Sequence, residues 1–186
     1  MYSTAEFKRG LKSELDGAPY AIVEFQHVKP GKGGAFVRTK LKNLLTGRVL
    51  DQTFRSGERV KRPDLMEREM QYLYHEGDRF CMMDNETFEQ IMLTEEQVGE
   101  ARLYLPENLN VKVLLFNREP VAVEIPTFIE LTVAQTEPGV RGDTATGGTK
   151  PATLESGAVI QVPLFINEGD RVKVDTRTGS YIERLK

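Results

Sequence analysis

The 186-residue sequence contains one cysteine, two histidines, no tryptophan and no long hydrophobic run. The single cysteine, Cys81, excludes an internal disulfide framework, and one cysteine with two histidines excludes the usual structural zinc site. The longest hydrophobic runs, 20–23, 80–83 and 113–116, have four residues, whereas a helix that crosses a bilayer needs roughly 20. The first residues also lack the basic-then-apolar order of a signal peptide. We therefore expect a cytoplasmic protein that does not bind membranes.

Signatures of common catalytic sites are missing as well. Residues 31–34 (Gly-Lys-Gly-Gly) precede a basic strand rather than the Lys-Ser/Thr pair and helix of a P-loop. His27 and His75 have no partner at metal or triad spacing, and Cys81 lies in an apolar run typical of a core residue. No sequence feature identifies a catalytic pair among the carboxylates. We therefore expect a protein that is not an enzyme, with no catalytic residue, metal or cofactor.

The formal net charge of −3 conceals an uneven distribution of charge along the chain. Residues 1–64 carry 13 basic and 7 acidic side chains, a net charge of +6. Residues 65–127 carry 5 and 13, a net of −8, and residues 128–186 carry 7 and 8, a net of −1. A basic first segment is typical of contact with phosphate backbones, and an acidic middle segment would be repelled by them. Chance segregation of solvated charges is the alternative interpretation.

Short alternating runs separated by glycine-rich turns predict an all-β protein built from small barrels. The clearest alternation lies in residues 36–44. The face predicted to point to the core carries Val37, Thr39 and Leu41. The opposite face carries Arg38, Lys40 and Lys42. Prolines at 63 and 126 suggest the junctions of three domains, 1–64, 65–127 and 128–186.

The middle segment combines a hairpin signal with one helix signal. Residues 76–78 (Glu-Gly-Asp) separate two apolar runs, as in a β-hairpin. Residues 168–170 repeat the same three residues, which predicts a second hairpin of the same type. Residues 94–97 (Thr-Glu-Glu-Gln) fit a capping box, which predicts a helix of about three turns. A β-barrel with one short helix is the outline of an oligonucleotide-binding (OB) fold.

Two loops have unusual compositions. The loop at 29–36 (Lys-Pro-Gly-Lys-Gly-Gly-Ala-Phe) presents Lys32 between glycines, which leave room for close backbone approach. An ordinary hairpin with solvated lysines is the alternative, but it leaves Lys32 without a role. The loop at 135–150 has few apolar residues and is long for a compact barrel, so it is either functional or disordered.

Both loops and one long spaced motif resemble the bacterial elongation factor P family over the whole chain. The loop around Lys32 resembles the family's modified-lysine loop. The family's C-terminal signature is matched by Lys150, Ala152, Gly157, Ile160, Val162, Pro163, Ile166 and Gly169. Residues 142–144 (Gly-Asp-Thr) resemble the family's third-domain loop, and the tail at 181–184 also fits.

This resemblance implies a fold and a function. It implies an SH3-like, KOW-type barrel over 1–64, a central OB barrel over 65–127 and a C-terminal OB barrel over 128–186, in an elongated, tRNA-like arrangement. It also implies a monomeric translation elongation factor that binds the 70S ribosome between the peptidyl-tRNA (P) and exit (E) sites. Such a factor would relieve stalls at consecutive prolines.

The resemblance further implies roles for individual residues. Lys32 would contact the CCA end of peptidyl-tRNA, supported by the residues around it, Lys29, Pro30, Gly31, Gly33 and Gly34. The small-subunit loop near the E-site codon would contain Gly142, Asp143 and Thr144. The contacts to the anticodon stem would come from Tyr181 and Arg184. From the basic strand face, we expect phosphate contacts along the tRNA by Arg38, Lys40 and Lys42.

The resemblance also implies a covalent modification of Lys32, for example β-lysylation by a dedicated modifying enzyme. A general OB-fold module that binds RNA or other single strands is the alternative function. That alternative requires exposed aromatic residues, and the low aromatic content of 8% and the acidic second segment disfavour it.

Overall fold

Antiparallel β-sheet accounts for nearly all regular structure in the computed structural model, which describes residues 1–139 and 148–186. The chain divides into two compact units. One contains Met1–Met66 and Leu115–Val121, and the other contains Glu67–Leu114 and Ala122–Lys186. None of the helices in the described residues has the length and hydrophobicity that a transmembrane segment requires. The all-β class predicted from strand and turn patterns is confirmed.

The strands and helices follow one another with short connections. In the first unit's N-terminal part, the strands are β1 (Tyr2–Ser3), β2 (Lys12–Leu15), β3 (Ala18–Val28), β4 (Phe36–Asn43), β5 (Val49–Arg55) and β6 (Arg59–Val60). The next five are β7 (Leu65–Glu76), β8 (Arg79–Asp84), β9 (Gln90–Thr94), β10 (Asn110–Phe116) and β11 (Glu119–Glu124). The last are β12 (Phe128–Thr136), β13 (Thr149–Leu154), β14 (Val159–Pro163), β15 (Arg171–Asp175) and β16 (Ser180–Arg184). The helical elements are α1 (Glu95–Val98) and two 3-10 helices, Thr4–Glu6 and Gly99–Tyr104.

The N-terminal sheet has the order β2-β3-β4-β5. The alternation predicted for β4 is confirmed, because the three core-side residues are at most 3% exposed and the three cationic residues are exposed. Phe7 and Phe54 meet edge to face in the core, with ring centroids 5.4 Å apart. The β3–β4 hairpin extends from this core and ends in the Lys32 loop.

A β-bulge at Val23 determines which side chains of β3 face the core. The strand pairing shifts between Ile22 and Glu24, so Val23 is an extra residue on β3. Side chains alternate along a regular strand, and without the bulge Glu24 would share the buried face of Ile22. The bulge turns Glu24 to the outer face, directly opposite Lys40, and places Phe25 on the inner face.

The central and C-terminal sheets share one topology. The central sheet has the order β11-β10-β7-β8-β9, and the C-terminal sheet has the order β14-β13-β12-β15-β16. In both, the first strand lies between the second and the fourth, which is the connectivity of an OB barrel. In the C-terminal sheet β16 also approaches β14, so the sheet closes on itself. The two barrels predicted for these segments are confirmed.

The helix after β9 is shorter than predicted. The capping box is present, because Gln97 N–H donates to the Thr94 hydroxyl (3.2 Å) and the Gln97 side chain accepts from Thr94 N–H (2.9 Å). The α-helix nevertheless ends after one turn at Gly99, whose φ of 67° and ψ of −146° are not helical. A 3-10 helix then continues to Tyr104. The prediction of about three α-helical turns was therefore wrong.

The two Glu-Gly-Asp sequences occupy different structures. Residues 76–78 lie at the turn between β7 and β8, which pair with each other, so the predicted hairpin is confirmed. Residues 168–170 precede β15, which pairs with β12 and β16 but not with the preceding strand, β14. The prediction that both are hairpins was wrong for the second, because three turn residues carry no information on which strands pair.

Within the second unit, the 3-10 helix Gly99–Tyr104 contacts the C-terminal barrel. Tyr104 packs against the C-terminal core, and the Ser156 hydroxyl donates to the Leu103 carbonyl (2.5 Å). A Cβ added at Gly179 would lie only 2.8 Å from the Tyr104 hydroxyl. The glycine therefore lets the two surfaces approach closely.

We expect the substitution Gly99→Ala to lower the free energy of unfolding by about 1–3 kcal/mol, because the backbone at Gly99 is accessible almost only to glycine. Urea unfolding would measure the change. Gly34→Ala is the matched control, since Gly34 has no positive φ and a Cβ there would meet open space. Equal losses of stability in both variants would contradict this explanation.

We expect stability to fall as the pH drops below about 4, because two buried carboxylates are stabilised in the charged form. Backbone N–H groups of Thr87 and Glu86 lower the pKa of Asp84, and the Arg177 guanidinium lowers the pKa of Asp175. A lowered native pKa contributes stability above the ordinary pKa, and that stability is lost as the pH falls through the native value.

Urea midpoints between pH 7 and pH 2 would test this dependence. The double variant Asp84→Asn, Asp175→Asn should be less stable than the native chain at pH 7 and should lose less stability on acidification. Parallel curves for the two proteins would contradict the assignment.

Candidate functional site

The Lys32 loop is an open hairpin end between β3 and β4. Lys32 and its flanking glycines are exposed, and Pro30 is half-buried. Gly33 has a φ of 104°, which other residues rarely adopt, and no atom lies within 4 Å of a Cβ built at Gly31, Gly33 or Gly34. None of the ion pairs in the described residues involves Lys32. The Lys32 amine is therefore open to solvent.

The loop is anchored at its base by the strands on either side. Ser56 N–H donates to the Ala35 carbonyl (3.0 Å), which ties the start of β4 to the end of β5. Lys29 is exposed and directly follows β3. The five supporting residues of the predicted site are thus brought together around Lys32, as their sequence spacing requires.

The outer face of β4 carries the three predicted phosphate contacts in unequal surroundings. Lys40 lies between Glu24 on β3 and Asp51 on β5, and its Nζ is 3.8 Å from Glu24 Oε2. Lys42 lies between Ala21 and Val49, which carry no charge. The two carboxylates therefore partly neutralise the positive charge of Lys40, whereas the strand neighbours of Lys42 leave its charge unopposed.

Arg38 lies at the other end of this row, beside an aromatic ring. Its guanidinium carbon is 5.4 Å from the centroid of the Phe36 ring, within range of a cation–π interaction. A surface groove of about 640 Å³ runs over the sheet here and is lined by Arg9, Arg38 and Lys40 together with Phe25, two threonines and acidic and amide side chains. Glu24 and Asp51 were missed by sequence reasoning, because only the strand register places them beside Lys40.

Tyr181 and Arg184 lie on β16 of the C-terminal barrel. Tyr181 is half-buried against the core, and this burial raises the pKa of its hydroxyl. Arg184 is exposed, 5.3 Å above the Phe165 ring and 3.9 Å from Asp170 Oδ2. Phe165, which is 57% exposed, was missed by sequence reasoning. The pair Arg184–Phe165 therefore presents a flat cationic and aromatic surface.

The predicted loop residues Gly142, Asp143 and Thr144 lie outside the described residues. The chain just before that segment, 137–139, is exposed, but a buried lysine follows the segment. Lys150 is only 7% exposed, and its ammonium group donates to the Glu137 carbonyl. A Cβ at Gly139 would lie 2.5 Å from the Leu164 carbonyl oxygen, so glycine is required there. Lys150, part of the C-terminal signature, thus joins the two ends of the segment.

Residues considered for catalysis occupy ordinary structural positions. Cys81 is buried at 1% exposure, with its Sγ 3.7 Å from Gln90 Oε1. His75 is exposed and stacks on Phe80, with ring centroids 5.6 Å apart. In the part of the chain that the structure describes, no group of three or more His, Cys, Asp or Glu side chains is arranged to hold a metal ion.

Family models match the chain in three consecutive segments. An elongation factor P KOW-like domain matches residues 3–60, and an elongation factor P OB domain matches residues 65–123. The C-terminal domain model of elongation factor P matches residues 129–184. These segments correspond to the three large sheets.

Proteins named elongation factor P are similar to this chain over their full length. Elongation factor P of Moorella thermoacetica is 60% identical over 184 residues, which is 99% of this chain and 100% of that protein. Elongation factor P of Natranaerobius thermophilus is 57% identical over 186 residues, 100% of this chain and 99% of that protein.

Solved structures of a related factor resemble part of the chain. Eukaryotic translation initiation factor 5A from Methanococcus jannaschii is 25% identical, with a TM-score of 0.55 over 64% of this chain and 88% of that one. A translation initiation factor 5A family protein from Naegleria fowleri is 18% identical, with a TM-score of 0.55 over 67% of this chain and 96% of that one. This second similarity shows a shared fold. From the three matched domains and the full-length relatives, the chain belongs to the elongation factor P family of translation elongation factors.

Proposed function

We propose that this translation factor binds the 70S ribosome between the P and E sites and stimulates peptide bond formation at consecutive prolines. Lys32 positions peptidyl-tRNA by contacting its CCA end. The observation that carries the proposal is the exposed Lys32 at the end of a glycine-flanked hairpin, in a chain that belongs to a family of translation factors.

The proposed mechanism is positioning rather than chemistry by the protein. Proline is rigid and a poor nucleophile, so poorly oriented peptidyl-prolyl-tRNA reacts slowly. Correct orientation of reactants contributes up to about 7–11 kcal/mol in favourable cases, and a small part of that is sufficient for a useful acceleration. Lys32 supplies positive charge and length at a narrow tip, and the ribosome remains the catalyst.

A covalent extension of Lys32 fits this role. The side chain ends in an amine open to solvent, and acylation with β-lysine would lengthen it while keeping a positive charge. A dedicated enzyme in the cytoplasm would carry out this modification. Lys29, Pro30, Gly31, Gly33 and Gly34 would hold the extended side chain in a narrow, accessible loop.

The rest of the chain would orient the factor along the tRNA. Arg38, Lys40 and Lys42 would contact phosphates of the acceptor arm. The contacts to the anticodon stem would come from Tyr181 and Arg184. The contacts to the small subunit near the E-site codon would come from Gly142, Asp143 and Thr144.

A general single-strand-binding module is a weaker candidate. OB barrels that bind single strands combine a positively charged groove with aromatic platforms. Residues 65–127, which contain the central barrel, carry a net charge of −8. That charge repels free nucleic acid and favours a partner that combines RNA with protein surfaces.

We expect Lys32→Ala to reduce synthesis of a polyproline reporter to near the level without the factor. Reconstituted translation with protein from the native host would measure this. Lys32→Arg keeps the charge but offers no ε-amine for acylation, so it separates charge from modification. Lys8→Ala, which removes an exposed lysine outside the loop, should leave synthesis unchanged. Full activity of Lys32→Ala would exclude the positioning role.

We expect Lys42→Ala to weaken ribosome binding more than Lys40→Ala, because Glu24 and Asp51 already offset the charge on Lys40. Co-sedimentation at several salt concentrations would measure the difference, and loss of one phosphate contact should reduce the salt slope by about one. Glu24→Gln should strengthen binding, since it leaves Lys40 with one acidic neighbour fewer. Equal effects of the two lysine variants would contradict this ranking.

A further inference from the structure

Phe25 and His27 form an exposed aromatic pair on β3, close to the Lys32 loop. Their rings meet edge to face, with centroids 5.8 Å apart and an interplanar angle of 90°. Phe25 is 36% exposed, and His27 is exposed as well. Neither residue belongs to the predicted site, although Phe25 lines the same groove as Arg38 and Lys40.

The strand register places this pair at the margin of the N-terminal core. Phe25 pairs with Thr39 and His27 with Val37, so all four side chains lie on the inner face. Thr39 and Val37 are almost fully buried, at 3% and 0% exposure. The two rings therefore extend the inner face beyond the buried core, and part of their surface remains in contact with water.

The charge around the pair favours a polyanionic partner. Residues 1–64 carry a net charge of +6. Lys29 follows His27 by two residues, and Lys32 follows it by five, which limits the chain span to about 18 Å. Aromatic rings on a sheet face beside cationic side chains are the usual means by which proteins bind unpaired RNA bases. A protein partner with an apolar surface would gain nothing from these lysines.

We propose that Phe25 and His27 form a stacking platform for one unpaired base of the tRNA acceptor end. This proposal rests on the proposed function, because contact of Lys32 with the CCA end brings unpaired nucleotides to this end of the hairpin. Because the two rings are perpendicular, one ring stacks on the base and the other contacts the base from the side. The Lys32 side chain contacts the adjacent backbone. Two contacts to the same strand orient it better than one flexible lysine.

Stacking variants of the full-length protein test the platform in translation. Phe25→Leu, His27→Leu and their double variant keep apolar cover over Val37 and Thr39 but remove the flat rings. The double variant should need about tenfold more factor for half-maximal stimulation of polyproline synthesis, with an unchanged melting temperature. In protein that retains Phe25, His27→Phe keeps a flat ring at position 27 and should therefore have the activity that His27→Leu loses. Phe88→Leu is the matched control, since Phe88 is a 69% exposed aromatic residue outside the site.

A direct binding measurement tests the platform without translation. In an NMR titration with the trinucleotide 5′-CCA-3′, the ring signals of Phe25 and His27 should move upfield, and those of Phe88 should not. Unchanged ring signals at millimolar trinucleotide would overturn the platform, and so would full polyproline activity of a folded double leucine variant. Upfield shifts together with normal activity of Lys32→Ala would support the platform and contradict the proposed role of Lys32.

Discussion

The pairing of β3 with β4 is the constraint on which the first unit depends. This hairpin carries the Lys32 loop at one end and part of the hydrophobic core at the other, so the register of its strands decides what each face presents. The bulge at Val23 reverses the alternation of β3 midway along the strand. One inserted residue thereby sends a carboxylate outward, beside a lysine, and sends two aromatic rings inward.

The acidic middle of the chain uses its carboxylates in more than one way. Some are internal: Asp84 accepts backbone hydrogen bonds from the turn that follows β8. In the C-terminal barrel, Asp175 at the end of β15 plays the equivalent part and accepts from the backbone and guanidinium of Arg177. Others, among them Glu95 and Glu107, line a cavity of about 880 Å³ in the second unit. Net charge alone therefore describes neither their surroundings nor their roles.

Local features were predictable from the sequence, and features that depend on partner strands were not. Alternation in β4, the turn at 76–78 and the capping box at Thr94 each depend on neighbouring residues. The early end of the helix at Gly99 was missed, because helical periodicity continues past it. The loop around Lys32 was predictable from its glycines, whereas the neutralisation of Lys40 depends on Glu24, sixteen residues away, and on a bulge without a clear sequence signal.

The burial of Lys150 bears on the lysine acylation proposed above, which requires an accessible amine. Both Lys32 and Lys150 follow a glycine within two residues, so short local sequence separates them poorly. The ammonium group of Lys150, however, donates a hydrogen bond to a backbone carbonyl beneath the protein surface. Acylation of Lys150 would therefore require local unfolding. The fold thus buries one lysine and exposes the other, so accessibility alone would direct the proposed acylation to Lys32 rather than Lys150.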